Sequence, residues 1–259
     1  MRRLVVELPP SLAAQWSRRV AAFALVVVVM TVLLSRLDRL ETAASLAVLG
    51  GGMLLAGVAI ALAVVAFGVV WADGRPGSGR AFAGLLIALL LLAYPAYLSV
   101  QALRLPRIND VTTDLSDPPA FSRSRRALEL RSGRIPPDPG PGARATQLQA
   151  YPGVEPLVLE LQPLEVFQLV QKAAQQRGWQ VIETASPGGR TGTGRLEAID
   201  RSLLMRFPDD VTVRIRPVAS GARVDVRSAS RFGSHDLGVN ARRVEAFMTR
   251  LQELADERR

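Results

Sequence analysis

Apolar and polar positions divide this chain into three stretches of different rhythm. Residues 1–103 are long apolar runs, 104–150 show no apolar period, and 151–259 alternate as a mixed domain does. Val20 to Ser35 is apolar apart from Thr31, with Arg18 and Arg19 before it and Arg36 after. Trp16 and Leu37 extend its reach to that of a tilted span. Ala43 to Ala72 is longer than one span requires, and Ala81 to about Leu103 makes a third, with a kink expected at Pro95. The expectation is three transmembrane helices at about 18–37, 44–71 and 81–103. The first run is expected to be a retained helix rather than a cleaved signal peptide, because no small-residue cleavage motif follows it and two more spans do. Tyr94 and Tyr97 are placed to sit near an interface.

Polar content sharpens the reading of these spans. Gly50, Gly51, Gly52, Gly57 and Gly68 are scattered through the second. Small residues let helices approach closely in lipid, so these glycines are either a packing face or a tolerated interruption. No span contains a charged residue away from its ends, which argues against transport and for an anchor or docking surface. Arg2, Arg3, Arg18, Arg19, Arg75 and Arg80 fall on one side of three spans, against Arg36 and Arg39 on the other. That bias of 6 to 2 predicts a cytoplasmic N-terminus and an outward C-terminal domain, in the periplasm if this is a bacterial inner-membrane protein. Arg104 and Arg107 pull the other way.

Beyond the spans, Pro106, Pro118, Pro119, Pro136, Pro137, Pro139 and Pro141 predict a mostly extended or disordered linker over 104–150. One patch, 108–121, reads either as local turns or as an extended segment packed along the following domain. From 151 onward, Leu157 to Leu161 reads as a strand, and Pro163 opens a helix with Val166, Phe167, Val170 and Ala174 on one face. Trp179 to Glu183 is a strand, and short strands Gly194–Ile199 and Leu203–Phe207 flank an Asp200-Arg201-Ser202 bend. Val211, Val213 and Ile215, then Val224 and Val226, alternate with polar residues as a hairpin. A turn at Ser220-Gly221 would set Arg216 opposite Asp225 and Ile215 opposite Val226. A last helix carries Val244, Phe247, Met248, Leu251, Leu254 and Ala255 at helical spacing. The fold expected for 151–259 is α+β, β-α-β-β-β-β-α, a mostly antiparallel sheet with two helices on one face and polar residues on the other.

The net charge of +9 is spread rather than focused: the three stretches carry excesses of 4, 3 and 2. A nucleic-acid binder concentrates charge on one face of its folded domain, so no nucleic-acid partner is expected. Membrane lipids are the partner that juxtamembrane arginines fit. With no cysteine there is no disulfide, thiolate nucleophile or Cys-based metal site.

Two stretches hold more polar residues than a solvated strand requires: Arg195 and Glu197 with Asp209 and Asp210, and the run from Asp225 to Arg243. Asp209-Asp210 reads as a metal or acid–base pair, or, preferred, as a turn. Asp225, Arg227, Ser230 and Arg231 read as a structural ion-pair group, the preferred reading, or as an anion site. Ser234 or Asp236 is placed to cap the last helix. His235, the single histidine, neighbours Asp236, but adjacency does not build a triad. One histidine also argues against zinc. No metal site and no cofactor are expected.

The run Arg206 to Arg214, ahead of Val224 to Val244, is similar to the bacterial family known as domain of unknown function 1499, and Ile108 to Asp114 resembles that family's opening segment. The resemblance spans about Ile108 to Leu251, leaves the apolar runs outside, and implies a domain without implying an activity. The function expected is a non-catalytic, membrane-anchored module of the cell envelope. Its candidate ligand-binding residues are Arg195, Glu197, Asp209, Asp210, Asp225, Arg227, Ser230, Arg231, His235, Asp236, Asn240 and Arg242. A small anionic or amphiphilic ligand, or an envelope protein, is the expected partner. The alternatives are an envelope hydrolase using Asp209, Asp210 or His235, and a scaffold acting through its spans.

Overall fold

The computed structural model describes residues 9–189 and 191–258, so Arg2 and Arg3 of the orientation count lie outside the described residues. Two compact units result: residues up to Val100 together with Leu204–Arg206, and Gln101–Leu203 with Phe207 onward.

The N-terminal unit is built from α1 (Leu12–Arg36), α2 (Thr42–Asp73) and α3 (Ser78–Arg104), each long and apolar enough to cross a membrane. Helix α1 starts earlier than the apolar run because Ser11 caps it, its hydroxyl accepting from the Ala14 N–H. Small residues make the seams: Ala21, Ala56, Ala59 and Ala88 pack together, and the Ser17 hydroxyl donates to the Ala59 carbonyl at 2.9 Å. At Gly84 a Cβ would lie 2.2 Å from the Ser17 hydroxyl oxygen, so α1 and α3 meet there backbone to backbone. Of the five glycines in α2, only Gly52 is closely packed, against the Val28 side chain of α1, while Gly50, Gly51, Gly57 and Gly68 face open space. Helix α3 continues through Pro95.

In the C-terminal unit, β1 (Asp110–Thr112), β2 (Leu157–Leu159), β3 (Gln180–Ala185), β4 (Gly194–Arg201), β5 (Pro208–Val218) and β6 (Gly221–Ser230) form one antiparallel sheet. Its order is β1-β6-β5-β4-β3, and β2 shares the β6 edge with β1. Helices α6 (Pro163–Gln176) and α7 (Val239–Asp256) cover one face over an apolar core of Val166, Val170, Leu196, Val213, Ile215, Val226, Phe247 and Leu251. Trp179 stacks on Phe247 with ring centroids 4.7 Å apart. This is the antiparallel α+β layout that the alternation implies.

Four local expectations are corrected. The hairpin turn sits at Ala219-Ser220, so Arg214 faces Asp225 and Ile215 faces Val224. Gly221, just past the turn, is needed both for its φ of +135° and because a Cβ there would lie 2.1 Å from the Leu159 carbonyl of β2. A slip of two residues leaves every side chain on its expected face. Leu203–Phe207 is no strand: the Ser202 N–H donates to the Phe207 carbonyl and Arg206 takes φ +55°, closing a loop between β4 and β5. Asp209-Asp210 is no turn, since both lie within β5.

The fourth correction concerns the linker and the polar face. Residues 104–150, expected as mostly extended or disordered, carry β1, α4 (Arg125–Leu130) and α5 (Gly140–Ala150). Proline hides this order from a periodicity reading, because the side chains that hold it are mostly polar. Gln147 of α5, almost fully buried, accepts from the Thr112 N–H at 3.0 Å and donates to the Thr112 carbonyl at 2.7 Å, closing the outer edge of β1. Between β1 and α5 the chain forms a strap over the second face of the sheet. That face, expected to be polar, is polar and yet buried: Glu197, Asp210, Thr212 and Asp225 are all at or below 1 % exposure.

Candidate functional site

The strapped face is made by every second residue of three neighbouring strands. Glu197 of β4, Asp210, Thr212, Arg214 and Arg216 of β5, and Arg223, Asp225 and Arg227 of β6 all point to it. Such a face can be buried only if each charge finds a partner, and the strap supplies those the sheet lacks.

Arg131, just after α4, is the largest fully buried side chain. Its guanidinium donates to Asp210 Oδ1 at 2.9 Å, to Glu197 and to the Ser122 carbonyl at 3.0 Å. Asp210 is clamped a second time by Arg231, at 2.8 and 3.0 Å, and Arg231 also donates to the Leu130 carbonyl. Glu197 accepts from the Ser122 N–H as well, at 2.8 Å; burial pushes its carboxyl up, opposed by Arg131. Arg227 grips Asp110 of β1 through Nε and Nη2 and donates to the Pro137 carbonyl, and burial likewise raises Asp110. Both Arg131 and Arg227 lie over the Phe121 ring, at 5.1 and 4.9 Å from its centroid. At the edge, the Ser122 and Ser124 hydroxyls donate to Glu183; the Ser124 bond is the main cause of that carboxyl's lowered pKa.

Toward the β5–β6 turn, three arginines meet three aspartates. Arg214, Arg216 and Arg223 reach Asp114 of the strap at 3.3, 2.9 and 2.9 Å, and all three also engage buried Asp225. Burial would raise the Asp114 carboxyl, but hydrogen bonds from Ser116, Asp117 and Arg216 and the Arg223 charge outweigh it and hold it at about 2. Arg195, opposite Arg214 across β4 and β5, has the Glu183 carboxylate in its field.

The helix-covered face has its own polar group, at the start of α7. Arg243, 4 % exposed, donates to Asp200, to Asp209 at 2.6 Å, to the Ser228 hydroxyl and to Asn240 Oδ1. Burial raises the Asp209 carboxyl against the pull of Arg243. Asn240 donates to Ser230 Oγ and to the Asn109 carbonyl, which the Ser230 N–H also reaches. Asp236 accepts from the N–H groups of Gly238 and Asn240 and so caps α7, whereas Ser234 accepts from Arg107. His235 Nδ1 accepts from the Leu237 N–H at 2.9 Å, which leaves Nε2 to donate to the Ala102 carbonyl at 3.2 Å. Arg242 donates to the Leu237 carbonyl.

The twelve candidate residues therefore do not converge. Arg195, Glu197, Asp210, Asp225, Arg227 and Arg231 belong to the strapped face. Asp209, Ser230 and Asn240 belong to the Arg243 group, and His235, Asp236 and Arg242 shape the entry to α7. Asp209 and Asp210 point to opposite faces, as neighbours on a strand must. Arg131 and Arg243, which hold these groups together, are absent from the sequence-derived set. Arg243 carries a readable signal, a charge beside Val244 on the apolar stripe of α7; Arg131, in a proline-rich stretch, carries none. Among the described residues no group of three or more His, Asp or Glu is placed to hold a metal ion. An open groove of about 630 Å³ between α6 and α7 is lined by Gln176, Arg177, Ala246, Thr249, Arg250 and Glu253, none of them a candidate.

Residues 110–251 match the family model described as "Protein of unknown function (DUF1499)". No curated protein and no solved structure matches the chain. The match opens on Asp110, the partner of Arg227, and so includes the strap.

Proposed function

This chain belongs to the family described as protein of unknown function (DUF1499), and from that membership we propose a membrane-anchored, non-catalytic module whose C-terminal domain binds an anionic ligand or the anionic surface of an envelope partner. The observation that carries this reading is how the charged residues are used. The groups an enzyme would need at Asp209, Asp210 and His235 are engaged by Arg243, by Arg131 with Arg231, and by the Leu237 and Ala102 backbone. A hydrolase built on them would have to break its own fold to act.

Arg227, Arg231 and Arg243 are held in the same way, so the binding surface moves from the Arg227–Arg243 stretch to the rim of the strapped face. Arg216 and Arg223 keep side-chain exposures of 30 and 31 % there, beside the exposed Asp117. Both are paired with Asp114 and Asp225, and it is their solvent-facing edges that an incoming carboxylate, phosphate or sulfate would meet. Three spans and the arginine bias support a domain on the outer side, the periplasm of a Gram-negative cell. Open space at Gly50, Gly51, Gly57 and Gly68 favours a second reading, in which α2 also docks a membrane partner.

Native mass spectrometry of the full-length protein released from its own membranes, beside an Arg216→Gln, Arg223→Gln variant of confirmed folding, tests the first reading. A bound adduct kept by the parent and lost in the variant is expected. Bare protein in both samples would remove the ligand from the account.

A further inference from the structure

We propose that the loop joining β4 to β5 is a membrane contact, with Leu203, Leu204 and Met205 inserted at the headgroup–acyl boundary of the bilayer. Hairpin loops are normally built from glycine, asparagine, aspartate and serine, which satisfy the backbone in water. This one instead places three large apolar residues in a row, and Leu203 and Leu204 are 89 and 43 % exposed. The loop is built rather than slack: the Ser202 N–H donates to the Phe207 carbonyl and the Phe207 N–H to Ser202 Oγ, both at 2.9 Å. Those two bonds close the base of the loop and leave Leu203 and Leu204 outside it. At the other end of β5 the tip is Ala219-Ser220, small and polar, so apolar tips are not a general habit of this sheet.

The bilayer is the occupant because this chain brings one within reach. The inference rests on the membrane anchoring proposed above. Between the end of α3 at Arg104 and the first sheet residue, Asp110, lie five residues, which span at most about 18 Å. A domain on so short a tether stays beside the surface its helices cross. Arg201 and Arg206 bracket the apolar triplet, and Arg206 reaches Asp38 at 3.8 Å. An apolar tip flanked by arginines is the local form of an interfacial anchor.

The absence of cysteine makes the test clean. Leu204→Cys, Val58→Cys on α2 and Ser220→Cys at the far end of β5 are each labelled with a nitroxide in the full-length chain, in vesicles containing phosphatidylglycerol. Accessibility to oxygen, which partitions into lipid, is compared with accessibility to a water-soluble nickel chelate. The expected result is an oxygen-to-nickel ratio several-fold higher at 204 than at 220, approaching that at 58. A ratio at 204 equal to that at 220, with 58 still in lipid, overturns the proposal and leaves the anchoring intact. A 204 label closed to both reagents also overturns it, by placing the loop against protein. Nickel access at 58 would remove the anchoring and the proposal together.

Discussion

At the scale of single residues, the charges of this domain act as internal structure. Arg131 holds two buried carboxylates at once, so removing it strands both. Breaking a buried pair from one side costs about 3–5 kcal/mol. Arg131→Ala should therefore lower the unfolding free energy of the full-length protein by an amount of that order, read from denaturant titration, whereas Arg125→Ala, an exposed i,i+4 partner of Glu129, should change it by less than about 0.5 kcal/mol. Asp114 gives the network a pH signature. Its folded carboxyl, at about 2, lies below an unfolded aspartate, so it stabilises the fold at neutral pH by about 2 kcal/mol. That stability is lost as pH falls from about 4 through 2. Asp110, Glu197 and Asp209, raised by burial, work in the opposite sense. Acid titrations of stability should therefore fall less steeply for Asp114→Asn than for the parent between those pH values; equal slopes would remove Asp114 from the network. The ion-pair reading of Asp225, Arg227 and Arg231 was legible in the sequence, as was Arg216 beside Asp225, but the partners of Arg227 and Arg231 were not. Asp110 lies 117 positions from Arg227, and nothing local announces a bond across that distance.

At the scale of elements, apolar period was a good guide wherever an element buries an apolar face. Helix α6 and the core positions of α7, β5 and β6 lie where 3.6- and 2-residue spacing placed them. It misled where a glycine or an apolar run had another cause. Gly221 reads as a turn residue but answers to the Leu159 carbonyl of β2, and Leu203–Phe207 reads as a strand but forms a loop. Gly221→Ala should consequently do more than stiffen a turn, because its Cβ has no room and φ is +135°. A loss of about 2 kcal/mol or more, with faster hydrogen exchange in β2, is expected. In the helical unit the glycines should separate by environment. Gly84→Leu drives a side chain into α1 and should lower thermal stability in detergent, while Gly57→Leu, which meets open space, should leave it near that of the parent.

At the scale of the whole molecule, the boundary of the C-terminal domain was the least legible feature. Composition changes at about residue 150, yet the sheet begins at Asp110 and the C-terminal unit at Gln101. Prolines and arginines that read as a linker are the strap that neutralises the sheet's second face. The family match begins at Asp110 too, which makes the strap part of the family's domain rather than a tether to it. Without it Glu197 and Asp210 would lose Arg131, and Arg214, Arg216 and Arg223 would lose Asp114. That this segment is a folded part of the domain is tested by hydrogen exchange on the full-length protein. The amide of Ser122, which donates to buried Glu197, should be protected to nearly the same degree as amides in the centre of β5. Exchange of residues 113–135 at the rate of an open chain, with β5 still protected, would contradict it.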